Sequence, residues 1–181
     1  MVADGERTSA DTTPKIRPAT AKDAKRIMDI YNEAVRTTTA TFDTEPRSLA
    51  GQIVWLKEHG AQHPVLVAEW QGRVAGWAAL SPWSERPAYS GTAEISVYVG
   101  SQWRNRGIGS ALMREILQAA QRVGLHTILA RIAEGNPVSR RLHVAAGFAS
   151  AGRMHEVGYK FGRFLDVELM ELPLAAPQSS R

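Results

Sequence analysis

The stretch "WRNRGIGS", Trp103–Ser110, puts two arginines, two glycines and a serine between an apolar alternating run, "TAEISVYVG" at 92–100, and a run with helical spacing, Leu112, Ile116, Ala119 and Val123. A strand therefore hands over to a helix through a glycine turn. Glycines let backbone N–H groups crowd a ligand without interference from a Cβ, and a helix start adds unpaired donors and about half a positive charge. Such a turn suits a phosphate or pyrophosphate. A P-loop would need a lysine before Ser110, and a dinucleotide fingerprint opening at Gly107 would need a third glycine where Leu112 stands. What remains is Arg104-x-x-Gly107-x-Gly109 behind an apolar strand.

Working outward, "IRPAT" reads as a short strand, followed by a capping box, Thr20 with Asp23, for a helix that buries Ala24, Ile27, Met28, Tyr31 and Val35. Ser48 caps a second helix carrying Leu49, Ile53 and Leu56 and closed by Gly60. "VLVAEW", a Gln71-Gly72 turn and "RVAGWAALSPW" form a hairpin. After the glycine turn, the helix with Leu112, Ile116, Ala119 and Val123 inward stops at Gly124. "HTILARI" is a strand, "NPVSRRLHVAAG" a helix opened by Asn136 and Pro137 and stopped by Gly147, and "LDVELMELPL" a last strand. The order predicts an α+β (α/β layered) fold, with a mixed, mostly antiparallel sheet flanked by helices. Residues 1–14 and 175–181 are small and polar and are expected to be flexible tails around one domain over 15–174.

With 181 residues, 44% of them hydrophobic, the chain is long enough for one domain with a substantial core. The formal charge of +4 admits anionic ligands, yet no lysine or arginine block supports nucleic-acid binding. The arginines near 104 gather at a turn and do not interleave with aromatics along one face. No cysteine is present, which excludes disulfides, thiolate metal sites and a covalent thiol intermediate. The five histidines lack a metal-ligand spacing with a partnering glutamate, so no metal is expected. No apolar run reaches membrane-spanning length and the first residues lack a signal-peptide core, so no membrane partner is expected and the cytoplasm is the expected location.

The Arg104-x-x-Gly107-x-Gly109 turn after "ISVYV" resembles the GNAT superfamily of acyl-CoA-dependent N-acetyltransferases. The resemblance implies the GNAT fold, with acetyl-CoA as cosubstrate. It implies that Arg104, Arg106, Gly107, Ile108, Gly109 and Ser110 hold the pyrophosphate. In the family the preceding strand, here Ile95 to Val99, splays from its neighbour, so that the backbone of Val97 and Val99 pairs with the pantetheine arm as a partner strand would. Asn136, Ser139 and the "AAGF" ending resemble the helix that flanks pantetheine and thioester. "TFDTEP" at 41–46, "PWSERPAY" at 82–89, "SRRLH" at 139–143 and "GYKFGRFLDV" at 158–167 together resemble the phosphinothricin and methionine sulfoximine N-acetyltransferases. The subgroup has a histidine, here His143, where many relatives have tyrosine. Phosphinothricin-specific members carry histidine and tryptophan where Phe161 and Phe164 stand, and this departure leans toward the broader methionine sulfoximine type. The implied substrate is a small amino acid ending in a phosphinate, sulfoximine or sulfone. The family likeness also implies a homodimer.

Acetyl transfer needs an uncharged amine, a donor for the developing oxyanion and a proton for the departing thiolate. Deprotonating a peptide-like α-amine at pH 7 costs about 1 kcal/mol against about 4.6 for a lysine side chain. Modest base help therefore suffices for an α-amino substrate. Glu94, at the start of the cofactor strand, is the candidate base, acting directly or through a water; its other reading is a strand-edge charge in solvent or paired to an arginine. His143 either shares the base role or passes a proton toward the sulfur. Arg86 offers a two-pronged contact to an anionic group, and Tyr89 and Phe42 wall the pocket; composition alone explains them equally as a loop arginine and core aromatics. Other amines (a protein N-terminus, a polyamine, an aminoglycoside) and a non-catalytic acyl-CoA-binding module are the alternatives.

Overall fold

The computed structural model describes residues 13–174. Residues 1–12 and 175–181, most of the expected tails, lie outside the described residues. The chain runs β1 (Lys15–Pro18), α1 (Ala24–Thr37), α2 (Leu49–Glu58), β2 (Val65–Trp70), β3 (Arg73–Pro82), β4 (Thr92–Val99), α3 (Ile108–Arg122), β5 (Thr127–Ala133), α4 (Pro137–Ala145), β6 (Ala149–Lys160) and β7 (Arg163–Pro173). The strands form one sheet in the order β1-β2-β3-β4-β5-β7-β6. Every neighbouring pair is antiparallel except β4 and β5.

Local chemistry accounts for the first elements. Asp23 accepts from the Thr20 amide at 2.7 Å and from its hydroxyl at 3.0 Å, closing a 3-10 turn over Ala21–Asp23 from which α1 continues. Arg17 clamps that carboxylate with two bonds of 2.8 Å and reaches Glu69 of β2 at 2.7 Å, so the first strand, the first helix and the sheet share one guanidinium. The β2–β3 hairpin turns through Gln71 and Gly72, both left-handed at φ 51° and 72°. The Ser48 hydroxyl accepts the Gly51 amide at 3.1 Å to start α2. Along that helix Ile53 and Leu56 are half-buried, with Leu56 packed against the apolar core, while Leu49 is exposed and Gln52 is fully buried.

Two apolar layers cover the sheet. One packs Ile108, Leu112, Met113, Ile116 and Ala120 of α3 onto Leu66, Ala78, Leu80, Ala93 and Ile95. The other packs Ile27, Ile30, Tyr31 and Val35 of α1 onto Val65, Val67, Trp77 and Ala79. A fully buried isoleucine such as Ile27 or Ile116 contributes about 1.5–3 kcal/mol by leaving water. Val123 only half-buries at the end of α3, where Gly124 at φ 77° ends the helix.

β6 carries no strand signal in the sequence. Its twelve residues are exposed but for Gly158 and Lys160, and two register breaks interrupt its pairing with β7. An edge strand with both faces wet has no apolar alternation to read.

Where the sheet opens matters most for function. β4 and β5 pair only from Thr92–Thr127 to Glu94–Leu129. Beyond that point Ile95–Val99 stay on β3, while Ala130–Ala133 stay on β7. An apolar strand in the middle of the sheet thus turns one row of polar backbone groups toward a gap.

Candidate active site

At the far end of the gap, β4 runs through a 3-10 turn over Ser101–Trp103 into the glycine turn. Gly107 caps α3 at φ 74°, ψ 0°, a left-handed conformation that a Cβ would strain, and a Cβ there would meet nothing within 4 Å. The first intrahelical bond runs from the Ala111 amide to the Gly107 carbonyl at 3.0 Å, so the amides of Ile108, Gly109 and Ser110 precede the helix ladder and have no partner among the described residues. Arg106 lies over Trp70 and Trp103, 5.8 and 5.7 Å from the ring centroids. Arg104 bonds the Val99 carbonyl through Nε at 3.4 Å and stands 4.0 Å from Glu33. The turn fits a pyrophosphate: free amides, a helix N-terminus, two arginines and room where side chains are missing.

Gly109 is less constrained. A Cβ on it would stand 3.5 Å from Leu142 of α4, an ordinary contact that leaves the approach of α4 to the start of α3 unchanged. Asn136 caps α4, its Oδ1 accepting the Ser139 amide at 3.1 Å, and its Nδ2 has no partner among the described residues.

Glu94 stands at the apex of the gap. It lies opposite Ser81 of β3, in the alternation that carries Tyr98 and Trp77 onto the α1 and α2 side of the sheet. Its carboxylate is not free. Arg131 of β5 donates Nε to Oε1 at 2.7 Å and Nη2 to Oε2 at 2.5 Å. The arginine-paired reading of Glu94 therefore holds in the ligand-free protein. Each carboxylate oxygen keeps a second lone pair for an amine or a water.

His143 lies on the other side of the sheet, 4% exposed and edge-on to Phe148 at 5.0 Å. Its Nδ1 donates to the Ser139 carbonyl at 2.8 Å. A carbonyl only accepts, so the proton sits on Nδ1 and Nε2 presents a lone pair. Burial pushes its pKa below the ordinary histidine value, opposed by that bond. A neutral imidazole with Nε2 as acceptor can take a proton; it has none on Nε2 to give.

The predicted substrate wall divides between two loops. Arg86 and Tyr89 are exposed beside the short 3-10 turn Pro87–Tyr89, and the Arg86 guanidinium has no partner among the described residues. Phe42 lies so close on the β6 backbone that a Cβ at Gly158 would run into its ring. The Phe42 loop is fastened to the Glu94 side of the sheet. The Tyr31 hydroxyl donates to Asp43 at 2.6 Å and bonds Thr41 at 2.8 Å; Tyr98 donates to the Ala40 carbonyl at 3.1 Å, and buried Lys160 to the Thr41 carbonyl at 2.7 Å. Burial lowers the Lys160 pKa and raises that of Tyr98. Sequence reading missed Arg131 and Lys160. Both owe their places to pairings distant in sequence, and the only available signal was that Arg131 shares the odd-numbered face of β5 with Thr127 and Leu129.

Comparison with known proteins agrees with this geometry. Residues 27–148 match the acetyltransferase (GNAT) family. The chain is 39% identical over 167 residues to the L-methionine sulfoximine/L-methionine sulfone acetyltransferase of Pseudomonas paraeruginosa, covering 91% of this chain and 97% of that one. It is 40% identical over 165 residues to the phosphinothricin N-acetyltransferase of Streptomyces coelicolor, covering 88% and 96%. The crystal structure of a phosphinothricin acetyltransferase from Sinorhizobium meliloti in complex with acetyl-CoA superposes with a TM-score of 0.88 at 34% identity, covering 93% of this chain and 92% of that one. With the opened sheet and the glycine turn in place, these matches show that the chain belongs to the acetyltransferase (GNAT) family.

Proposed function

We propose that this protein transfers the acetyl group of acetyl-CoA to the α-amine of a small amino acid of the methionine sulfone, methionine sulfoximine or phosphinothricin type. The observation that carries the reading is the gap between β4 and β5, with an acidic group at its apex and a helix N-terminus at its end. Acetyl-CoA supplies the activated acyl group. The amides of Ile108, Gly109 and Ser110 with Arg104 and Arg106 suit its pyrophosphate, and the open backbone of Val97 and Val99, with Asn136 and Ser139 on α4, suits its arm.

Glu94 receives the proton of the substrate ammonium, directly or through a water, on a lone pair that Arg131 leaves unused. The neutral amine then attacks the thioester carbonyl, the C–S bond breaks as the C–N bond forms, and the proton that the nitrogen sheds on becoming an amide passes through a water to the departing thiolate, so that coenzyme A leaves as the thiol. His143, neutral and open at Nε2, fits a share in the base role better than proton donation to the sulfur. Arg86 suits the polar end of the substrate side chain, with Phe42 and Tyr89 against its apolar part.

One domain over 15–174 and a cytoplasmic location belong to the same reading. So does a homodimer, supported by the β6–β7 hairpin, which leaves Val157, Tyr159, Phe161 and Phe164 more than half exposed. A thiol-release assay with acetyl-CoA against methionine sulfone, methionine sulfoximine, phosphinothricin, spermidine and an aminoglycoside tests the activity. Turnover of the amino acids supports it; turnover confined to the polyamine or aminoglycoside, or none at all, contradicts it.

A further inference from the structure

Arg131 stands on β5 just past Leu129, the last residue that β4 pairs with, and its side chain is 53% exposed in the gap. Its Nε and Nη2 hold both oxygens of Glu94, and its Cζ lies 5.7 Å from the Trp83 ring centroid. Those bonds use one edge of a planar group that carries five N–H donors. The other edge, Nη1 with the second Nη2 hydrogen, has no protein partner among the described residues.

An α-amino acid carries its amine and its carboxylate on one carbon. Whatever reads the carboxylate must therefore adjoin whatever takes the proton from the amine. Arg131 is bonded to Glu94; Arg86 sits in an exposed loop and contacts neither residue. We infer that Arg131 reads the substrate's α-carboxylate with its free edge while its occupied edge holds Glu94 toward the amine, which makes it the residue that selects α-amino acids over plain amines. The Trp83 ring lies on one face of the guanidinium at cation–π distance. A polyamine would meet the same guanidinium as a like charge, with no carboxylate to offer it. Arg86 is left for the far end of the substrate. The inference rests on the acetyltransferase reading of the site.

The test measures kcat and KM for methionine sulfone and for its α-carboxamide, which keeps the amine and loses the charge, in the wild type, Arg131→Gln, Arg131→Lys and Arg86→Ala. The wild type is expected to favour the acid. Arg131→Gln should raise KM for the acid by roughly 10- to 100-fold, as for loss of a hydrogen bond to a charged group, and leave KM for the carboxamide within about twofold, so the preference collapses. Arg131→Lys should restore part of it. Equal loss on both substrates would reduce Arg131 to a support for Glu94 and overturn the inference. So would a preference that survives Arg131→Gln and disappears in Arg86→Ala. A wild type that acetylates neither compound overturns the acetyltransferase reading itself, before any Arg131 variant is compared.

Discussion

Arg131 grips both oxygens of Glu94, at 2.7 and 2.5 Å, at the place where β4 and β5 stop pairing. The Glu94 carboxylate in turn raises the pKa of Arg131 above its ordinary value. A charged acceptor is thereby fixed at the apex of the gap without a mobile side chain, and fixed geometry at the reacting centre is a main source of rate.

Replacing Glu94 by Gln keeps its shape and removes proton acceptance. The kcat for an α-amino substrate should fall by roughly 10²–10⁴ with little change in acetyl-CoA affinity. His143→Ala should lower kcat as well, and the double variant should be no slower than the slower single one, because groups acting as a unit are not additive. The loss in Glu94→Gln should shrink as pH rises toward the pKa of the substrate amine, where less base help is needed. Initial-rate kinetics across pH check all three.

The two glycines of the turn should respond differently. Gly107→Ala forces a side chain into the left-handed region and should cost about 1–2 kcal/mol of stability while weakening acetyl-CoA binding. Gly109→Ala meets Leu142 only at ordinary contact distance and should leave the melting temperature near that of the wild type. Calorimetric titration with acetyl-CoA and a thermal melt of each variant separate the effects.

Arg86→Ala should raise KM for phosphinothricin, whose phosphinate it would contact, by the equivalent of about 1.5–3 kcal/mol and leave acetyl-CoA affinity unchanged. Steady-state kinetics with each substrate varied in turn decide it; an unchanged KM would return Arg86 to the solvent.

Much of this was legible in the chain. The turn could be read because its chemistry is local: Gly107 and Gly109 stand beside Arg104 and Arg106 at a strand–helix junction, and the structure has a left-handed Gly107 there. Asn136 and Gly147 bracket their helix through caps that any isolated helix would use. What sequence could not show is what depends on neighbours across the sheet. The sequence allows Glu94 an arginine partner but does not name it; β5 brings Arg131 beside it from 37 residues away. The strand holding Lys160 carries no apolar rhythm because its pairing partner, β7, lies between it and the core. The neutral state of His143 follows from burial against Phe148, which spacing on a helix does not reveal.

Acid should loosen the first strand and helix. Arg17 lowers the pKa of Asp23, with burial opposing it. A carboxyl whose folded pKa is depressed contributes stability that is present above its unfolded pKa, near 3.9, and is lost as pH falls through the lower folded value. Asp23→Asn should therefore destabilise the protein at pH 7 by about 1.5–3 kcal/mol and melt with a weaker dependence on pH than the wild type below pH 4. Thermal melts from pH 7 to pH 3 measure both.

The measurement closest to the central claim is the product itself. Methionine sulfone incubated with acetyl-CoA and the protein is expected to yield a compound one acetyl group heavier, with fragmentation in the mass spectrometer placing that group on the α-nitrogen and one free thiol released per product. Wild-type protein that binds acetyl-CoA yet releases no thiol and forms no N-acetyl product from methionine sulfone, methionine sulfoximine or phosphinothricin would contradict it.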